Sequence, residues 1–198
     1  MPIIPTVKDR SPKGERYFDI FSKLLNDRVI IITEQIDDHM MGIIVSQLLY
    51  LEAEDSSEPI HIYVSSPGGS VMAGLAILDT MQLITAPVHT YAMGMVASMA
   101  AVIFTCGEKG HRYILPNAEV MIHQPLGGAQ GQASDIEIQA NHIISLKRRL
   151  YKIIAKATGK NVKTIEKASD RDNYFEAAQA IEFGLADTIL TKLSSKDV

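Results

Sequence analysis

The chain has 198 residues, of which 46% are hydrophobic and 21% charged, and its formal net charge is -4. This length is enough to bury one good core, so a single folded domain is expected. No run of Lys or Arg forms a basic stripe, which argues against nucleic acid as a partner. The single cysteine, Cys106, excludes an internal disulfide and a cysteine-rich metal site, and it fits a reducing, cytoplasmic compartment.

Neither a secretory signal nor a membrane span is predicted. Residues 1–13 contain prolines and charges but no apolar core of the kind that a secretory signal needs. The most apolar stretch, residues 93–106, is rich in Ala, Gly and Ser and is shorter than the roughly 20 residues that cross a bilayer. We therefore predict a buried helix there and no association with a membrane.

The spacing of apolar residues predicts alternating helices and strands after a polar, proline-containing arm or loop over residues 1–14. In chain order, the predicted elements are a helix at 18–25, a strand at 28–32, a helix at 40–52, a strand at 60–64, a helix at 71–84, a strand at 88–93, a helix at 98–106, strands at 112–115 and 120–123, a glycine-rich ribbon at 125–131, a long helix at 134–157, a helix at 162–168, a loop at 169–173, a helix at 177–183 and a strand at 188–190.

Two successive strand-turn-helix units stand out in this order. The first has the turn Ser65-Ser66-Pro67-Gly68-Gly69-Ser70, and the second has Gly94 as its predicted turn. Such repetition favours an α/β layered fold with parallel strands. Ser134 is predicted to cap the long helix that follows, and that helix carries enough apolar surface to dock on another subunit.

Ser98 is the first residue that could carry chemistry. A serine at the start of a helix lies where free backbone N–H groups stabilise negative charge, although from these residues alone a simple N-cap is the commoner interpretation. The pair Gly68-Gly69 could form a phosphate cradle or half of an oxyanion hole, but it matches neither nucleotide-binding fingerprint.

Other candidates are weaker when taken singly. His123 ends an apolar strand before a proline, where a general base could face a cleft. Asp172, in the loop 170–173, could orient a histidine or could cap a helix in solvent. The cluster Asp37, Asp38 and His39 is the only candidate for a metal site, and because no second ligand pair accompanies it, no metal is predicted.

Taken together and in order, the segments resemble the ClpP family of peptidases from Ile4 to about Leu193. The matching strings are IPTV, GERYFDIFSKLLNDRVI, SQLLYLEAED, SSPGGS, LDTMQ, MGMVASMA, EKGHRYILPNAEVMIHQPLGGAQGQASDIEIQA, DRDNYF and EAAQAIEFGLAD. Their shared order and spacing make the resemblance specific.

The resemblance implies a ClpP/crotonase-like α/β fold of repeated strand-turn-helix units with a protruding helix-and-strand handle at about 124–157. It divides the chain into an N-terminal arm or axial loop at 1–17, a single peptidase domain at 18–193 and a C-terminal tail at 194–198. It also implies a serine endopeptidase that cleaves unfolded polypeptides to short peptides.

Site residues follow from the same resemblance. Ser98 would be the nucleophile, His123 the general base and Asp172 the residue that orients the histidine. The N–H groups of Gly69 and Met99 would form the oxyanion hole. Val71, Leu126 and Gly127 would bind substrate, since the ribbon 124–132 looks like the family's strand that pairs with extended peptide.

An assembly is implied as well. It comprises two stacked heptameric rings, homo- or hetero-oligomeric, with Asp170 and Arg171 as a ring-to-ring sensor. An AAA+ unfoldase would dock on apolar pockets to which Tyr63, Tyr113 and Leu190 contribute. That partner uses ATP, so no cofactor is expected on this chain.

Ala100, which follows Met99, stands where many members of the family have glycine, and its methyl group could reshape the first substrate pocket or lower intrinsic activity. This leaves the alternative of a weakly active or silent paralogue in mixed rings. A crotonase-type enzyme that binds acyl-CoA is a further alternative, but it gives no account of His123 and Asp172.

Overall fold

The computed structural model describes residues 4–11 and 14–193. The predicted tail at 194–198, and residues 1–3 and 12–13 of the predicted arm, lie outside the described residues. The strands are β1 (Thr6–Ser11), β2 (Gly14–Asp19), β3 (Val29–Ile32), β4 (Ile60–Ser66), β5 (Val88–Ala97), β6 (Arg112–Ile114), β7 (Glu119–Ile122), β8 (Asn173–Glu176) and β9 (Thr188–Ile189). The helices are α1 (Ile20–Asn26), α2 (Asp38–Glu54), α3 (Val71–Leu83), α4 (Met99–Thr105), α5 (Ala133–Thr158), α6 (Val162–Ala168) and α7 (Ala177–Phe183).

A mostly parallel sheet organises the fold. Strands β3, β4, β5, β6 and β9 are parallel neighbours in that order, and β7 pairs in parallel with the C-terminal end of β5. Strand β8 then adds to β7 in the antiparallel direction. The predicted α/β fold with parallel strands and the ClpP-like architecture are thereby confirmed.

Helix α4 lies at the centre of the core. Each of its seven residues is buried, as expected for a helix that is apolar on all sides and surrounded by other elements. It packs on strands β4, β5 and β7 and on helices α3 and α5. No helix among the described residues is long and apolar enough to span a membrane.

Strand β5 differs from the prediction because it runs through Gly94 to Ala97. Gly94 is therefore not the turn between strand and helix, since the chain there has φ +56° inside the strand. The register between β4 and β5 shifts at this point, from Val64 opposite Ala92 to Ser66 opposite Val96. The glycine allows a bulge, after which β5 turns to a new neighbour, β7.

In two regions, β1 with β2 and β8 alone, strands formed that were not predicted. Residues 6–11 and 14–19 form an antiparallel pair where an irregular arm was expected, with Lys8 opposite Tyr17 and a 2.6 Å ion pair from Lys8 to Glu15. Strand β8 occupies the end of the predicted 169–173 loop and the residues after it. Both are short and contain charged residues, so their own pattern is weak and pairing with a neighbour decides their conformation.

The long helix α5 begins and ends close to the predicted bounds, but its cap differs. Gln132, not Ser134, is the N-cap residue, and it makes no side-chain capping bond. At the other end Gly159 adopts φ +72°, as predicted for a residue that closes a helix. The C-terminal half of α5 buries Leu150 and Ile154 against the body, whereas Ile138 in the N-terminal half is exposed.

The Arg112 side chain, on β6, forms hydrogen bonds to several elements of the fold. Its guanidinium donates to the backbone oxygens of Thr105, Ala157 and Gly184, and it forms a two-bond ion pair with Asp187. Burial acts to raise the pKa of Asp187, but the hydrogen bond and charge of Arg112 outweigh burial and hold that pKa below its ordinary value.

We expect Arg112→Met to lower the free energy of unfolding by about 3–5 kcal/mol at neutral pH, because it removes the guanidinium from three carbonyls and from the Asp187 carboxylate, which keeps only backbone N–H donors. A depressed carboxyl pKa contributes stability above its unfolded value, so the difference from wild type should shrink as the pH falls below about 4. Urea unfolding at fixed protein concentration measures both effects. The exposed Lys109→Met serves as control, and an equal loss in that variant would contradict the prediction.

Candidate active site

Ser98 occupies a strained turn between β5 and α4. Its backbone has φ +56° and ψ -123°, a conformation that side-chain-bearing residues seldom adopt. The hydrogen bond from Ser98 N–H to the Met121 carbonyl, 2.9 Å, holds this turn against β7. Ser98 is the N-cap residue of α4 by position, but its side chain makes no capping bond, so capping does not account for the serine.

His123 reaches Ser98 because their strands are neighbours. Ala97 of β5 lies opposite Met121 of β7 in a parallel ladder, so both chains leave the sheet at the same edge. His123 is the first residue after β7. Its Nε2 atom lies 2.8 Å from Ser98 Oγ.

Asp172 reaches His123 across the next ladder. In the antiparallel pairing of β7 with β8, Ile122 lies opposite Asn173, so the residues just beyond this pair also face each other. His123 Nδ1 lies 2.9 Å from Asp172 Oδ1. The Asp172 side chain is 59% exposed, whereas that of His123 is 13% exposed.

The order of contacts determines which tautomer of a neutral His123 imidazole fits the site. A carboxylate can only accept, so His123 Nδ1–H donates to Asp172. In the neutral imidazole Nε2 is then the acceptor for the Ser98 O–H. The arrangement is therefore able to remove a proton from the serine hydroxyl and to stabilise the imidazolium that results.

The glycine turn before α3 packs directly on Ser98. A Cβ on Gly68 would lie 2.7 Å from Ser98 Cβ and 2.6 Å from the Ala97 oxygen. A Cβ on Gly69 would lie 2.2 Å from the Ile36 oxygen, in the bridge that ties this turn to the segment after β3. Only glycine fits at either position.

The two predicted oxyanion donors lie in the two turns that pack together at Ser98, Gly69 before α3 and Met99 at the start of α4. Gly69 N–H has no acceptor within residues 4–11 and 14–193. Met99 is the first residue of α4, so its N–H has no partner inside the helix.

A narrow pocket opens beside Ser98 and His123. Its walls are mostly apolar, and they come from α3, α4, β7, the segment after β7 and α5: Val71, Met99, Val102, Ile122, Pro125, Leu150, Tyr151 and Ile154. Val71, predicted to bind substrate, lines this pocket. Ala100 does not line the pocket, because it is fully buried in the core beneath it.

The predicted ribbon forms no strand in this chain. Leu126 is 85% exposed and Gly127 packs against Ile143 of α5, and neither lines the pocket. Among residues 4–11 and 14–193, no strand pairs with this segment, and its backbone is irregular.

The other predicted sites lie apart from the pocket or show only local contacts. Arg171 contacts the backbone oxygen of its neighbour Asp170 at 3.3 Å, and both side chains are exposed. Tyr63 and Tyr113 stack on either side of the buried Tyr91, on β4, β5 and β6, with ring centroids 4.3 and 4.9 Å apart. Leu190, just after β9, hydrogen-bonds the Ile114 backbone of β6.

Residues considered for other chemistry have structural positions. Asp37 caps α2 by accepting the Met40 N–H at 2.8 Å. Over the described ranges, no three His, Cys, Asp or Glu side chains are grouped to hold a metal ion. Burial raises the pKa of the Cys106 thiol to about 12, which makes this cysteine a weak nucleophile at neutral pH.

Sequence reasoning missed the wall of the pocket that α5 supplies. Lys147, Leu150, Tyr151 and Ile154 have the spacing of one helix face, which was visible in the sequence. The direction of that face depends on how α5 packs, which the pattern does not specify. Gln124, next to His123, was also missed as an individual residue.

Comparison with known proteins agrees with this geometry. The sequence profile of the family described as Clp protease matches residues 12–193. The chain is also 50% identical, over 190 residues, to the ATP-dependent Clp protease proteolytic subunit of Ligilactobacillus salivarius (strain UCC118), and the match covers 96% of each chain. The chain belongs to the Clp protease family. Its activity is accordingly that of a serine-type endopeptidase.

In this Clp protease fold, Gly68 lies where the glycine turn before α3 packs on the Ser98 turn. A substitution of Gly68 therefore tests the geometry of the site. We expect Gly68→Ala to displace the Ser98 turn and to reduce labelling by a fluorophosphonate serine probe at least tenfold, since a shift of about 1 Å costs up to a hundredfold in rate. Gly110→Ala is the matched control, because its φ of +91° resembles the +87° of Gly68 but its Cβ would meet no atom within 4 Å.

Gly110→Ala should lose only the roughly 1–2 kcal/mol of stability that left-handed backbone costs a non-glycine residue, and it should keep its labelling rate. Intact-mass analysis over time measures labelling, and thermal unfolding measures stability. Equal labelling rates in the two variants would contradict the proposed tight contact.

Proposed function

We propose that the chain is the proteolytic subunit of an ATP-dependent Clp protease and cleaves unfolded polypeptides with Ser98, His123 and Asp172. The observation that carries the proposal is the continuous contact from Ser98 Oγ through both His123 nitrogens to Asp172. An ordinary structural serine does not require a strained backbone, and this one has it.

The chemistry follows from the direction of the hydrogen bonds. Ser98 Oγ attacks the peptide carbonyl while His123 Nε2 accepts its proton. The imidazolium then gives that proton to the departing amine, which leaves an acyl group on Ser98. A water molecule, deprotonated by His123 in the same way, releases the acyl group as a carboxylic acid and restores the serine.

The developing oxyanion needs donors, and we assign them to the N–H groups of Gly69 and Met99. Support comes from the turn itself, where Gly69 N–H is not used by any described acceptor and Met99 N–H begins a helix. Removing one such donor costs on the order of a hundredfold to a thousandfold in kcat in other serine proteases.

We assign substrate binding to the pocket wall at Val71 and to the exposed segment that includes Leu126 and Gly127. An extended peptide can hydrogen-bond to unpaired backbone, which gives affinity with broad tolerance of sequence. The apolar pocket beside Ser98 would take the side chain that precedes the cleaved bond.

The assembly proposed is two stacked heptameric rings in the cytoplasm, with the arm at 1–17 and the handle at 124–157 as parts of one peptidase subunit. The exposed isoleucines on the N-terminal half of α5 support a further subunit contact. Asp170 and Arg171 are exposed beside Asp172 and are proposed as the contact between rings. No cofactor is required by the steps above, since a partner ATPase would use the ATP.

A first experiment tests the nucleophile. Treatment with a fluorophosphonate probe should add one label per wild-type chain, and Ser98→Ala should add none. Asp172→Asn should keep the fold and lose roughly 10,000-fold in kcat, because the imidazole is no longer held in the correct tautomer. Intact mass, oligomer size and hydrolysis of a fluorogenic peptide are recorded in the same buffer.

The labelling results distinguish an active peptidase subunit from a silent paralogue. Labelling that persists in Ser98→Ala would overturn the assignment of the nucleophile. Absence of labelling on a correctly assembled wild-type ring would favour the silent paralogue, whose activity would then have to come from a second subunit. The pre-aligned Ser98 and His123 favour the active form.

A second experiment tests docking of the partner ATPase on the face of Tyr63, Tyr113 and Leu190. We expect Tyr63→Ala to abolish degradation of an unfolded protein with a Clp-type ATPase and ATP, while hydrolysis of a short peptide without the ATPase continues. Tyr63→Phe keeps the stacked ring and should retain both activities. Unimpaired ATP-dependent degradation by Tyr63→Ala would rule out this docking face.

A further inference from the structure

Helix α5 contacts the site at two places with a single face. Lys147, Leu150, Tyr151 and Ile154 have the i, i+3, i+4, i+7 spacing of residues on one side of a helix. The last three form a wall of the pocket beside Ser98. Lys147 lies at the end of this face, with its ammonium 5.6 Å from the centre of the Tyr151 ring.

Gln124 links Lys147 to the loop that carries Asp172. The Lys147 ammonium donates to Gln124 Oε1 at 3.1 Å, and Gln124 Nε2 donates to the Asp170 backbone oxygen at 2.7 Å. The amide orientation is determined by its partners, because an ammonium can only donate and a carbonyl can only accept. A longer contact, 3.4 Å, reaches Asp170 Oδ1.

The other restraints on this loop lie at its ends, where Asn173 Nδ2 donates to the Ala168 oxygen at 3.0 Å. Ser169 N–H ends α6 by bonding to Ile165, and the ladder with β7 begins at Asn173. Between these two points, two side chains within the described part of the chain donate to the backbone oxygen of Asp170. They belong to Gln124 and to the adjacent Arg171. Asp172 itself is largely exposed, and its carboxylate contacts His123.

We propose that Gln124 and Lys147 are positioning residues that hold Asp172 against His123 and tie that contact to the position of α5. This deepens the proposed function and rests on it. A displacement of α5 would move the pocket wall and, through Lys147 and Gln124, the Asp172 loop together.

The test uses two single changes that each remove one hydrogen bond. Gln124→Glu keeps the shape and the acceptor for Lys147 but places a carboxylate oxygen against the Asp170 carbonyl. Lys147→Met keeps the apolar stem and removes the donor. Lys147→Arg keeps a donor and should rescue activity, and the exposed Lys152→Met, on another face of α5, is the matched control.

We expect Gln124→Glu and Lys147→Met each to lower kcat for a fluorogenic peptide about 10- to 100-fold, with KM changed less than about twofold. The rate of fluorophosphonate labelling at saturating probe should fall in parallel. The double variant should lose no more than the worse single variant, since both changes break one linkage. Oligomer size and the thermal midpoint should match those of Lys152→Met.

Outcomes that contradict this inference differ from those that contradict the proposed function. Full kcat in Lys147→Met, or an equal loss in Lys147→Arg or Lys152→Met, would overturn the positioning role while Ser98→Ala is still inactive. Peptide hydrolysis that survives in Ser98→Ala would overturn the proposed function itself. If Gln124→Glu does not assemble, the comparison of Lys147→Met with Lys147→Arg decides.

Discussion

The ladder formed by β5, β7 and β8 is the constraint on which the site depends. Each of the three hydrogen-bonded side chains lies one residue beyond a ladder pair: Ser98 after β5, His123 after β7 and Asp172 before β8. The ladders bring together residues 25 and 49 positions apart in the chain, so that contacts of 2.8 and 2.9 Å result. Backbone pairing thus sets the approximate positions of the three residues, and the side-chain hydrogen bonds refine them.

This arrangement requires a strained backbone conformation at Ser98. A positive φ at a serine is held by its neighbours: Met121 accepts its N–H, Gly68 packs on its Cβ, and α4 continues into the core. Such a conformation persists only where the surroundings over-determine it. The buried α4 and the glycine turn provide that rigidity.

The sequence predicted the helices and strands that have a strong apolar pattern, and it identified the candidate site residues. It did not specify the contacts between those residues. Helix α6 and helix α7 have their predicted bounds, and Gly159 and Gly184 end helices in left-handed conformation. Strand β8 escaped prediction because Asn173 and Glu176 are polar, and its pairing with β7 is a long-range effect. Gly94 was misread as a turn because a bulge inside a strand has the same local signal as a strand end. Without β8 and the continuation of β5, no local argument could bring Asp172 and Ser98 to the same histidine.

Helix α5 combines two environments on one rigid element. Its C-terminal half is packed into the body and forms a pocket wall, whereas Ile136 and Ile138 in the N-terminal half remain exposed. An apolar surface of this kind gains free energy when another surface covers it, at roughly 25 cal/mol for each Å² removed from water. Because a helix of 26 residues is about 39 Å long and resists bending, whatever covers the exposed half also restrains the half beside Ser98. Contacts made far from the serine can therefore shift the position of α5. The hydrogen bonds of Lys147 and Gln124 then pass this shift to the loop that carries Asp172.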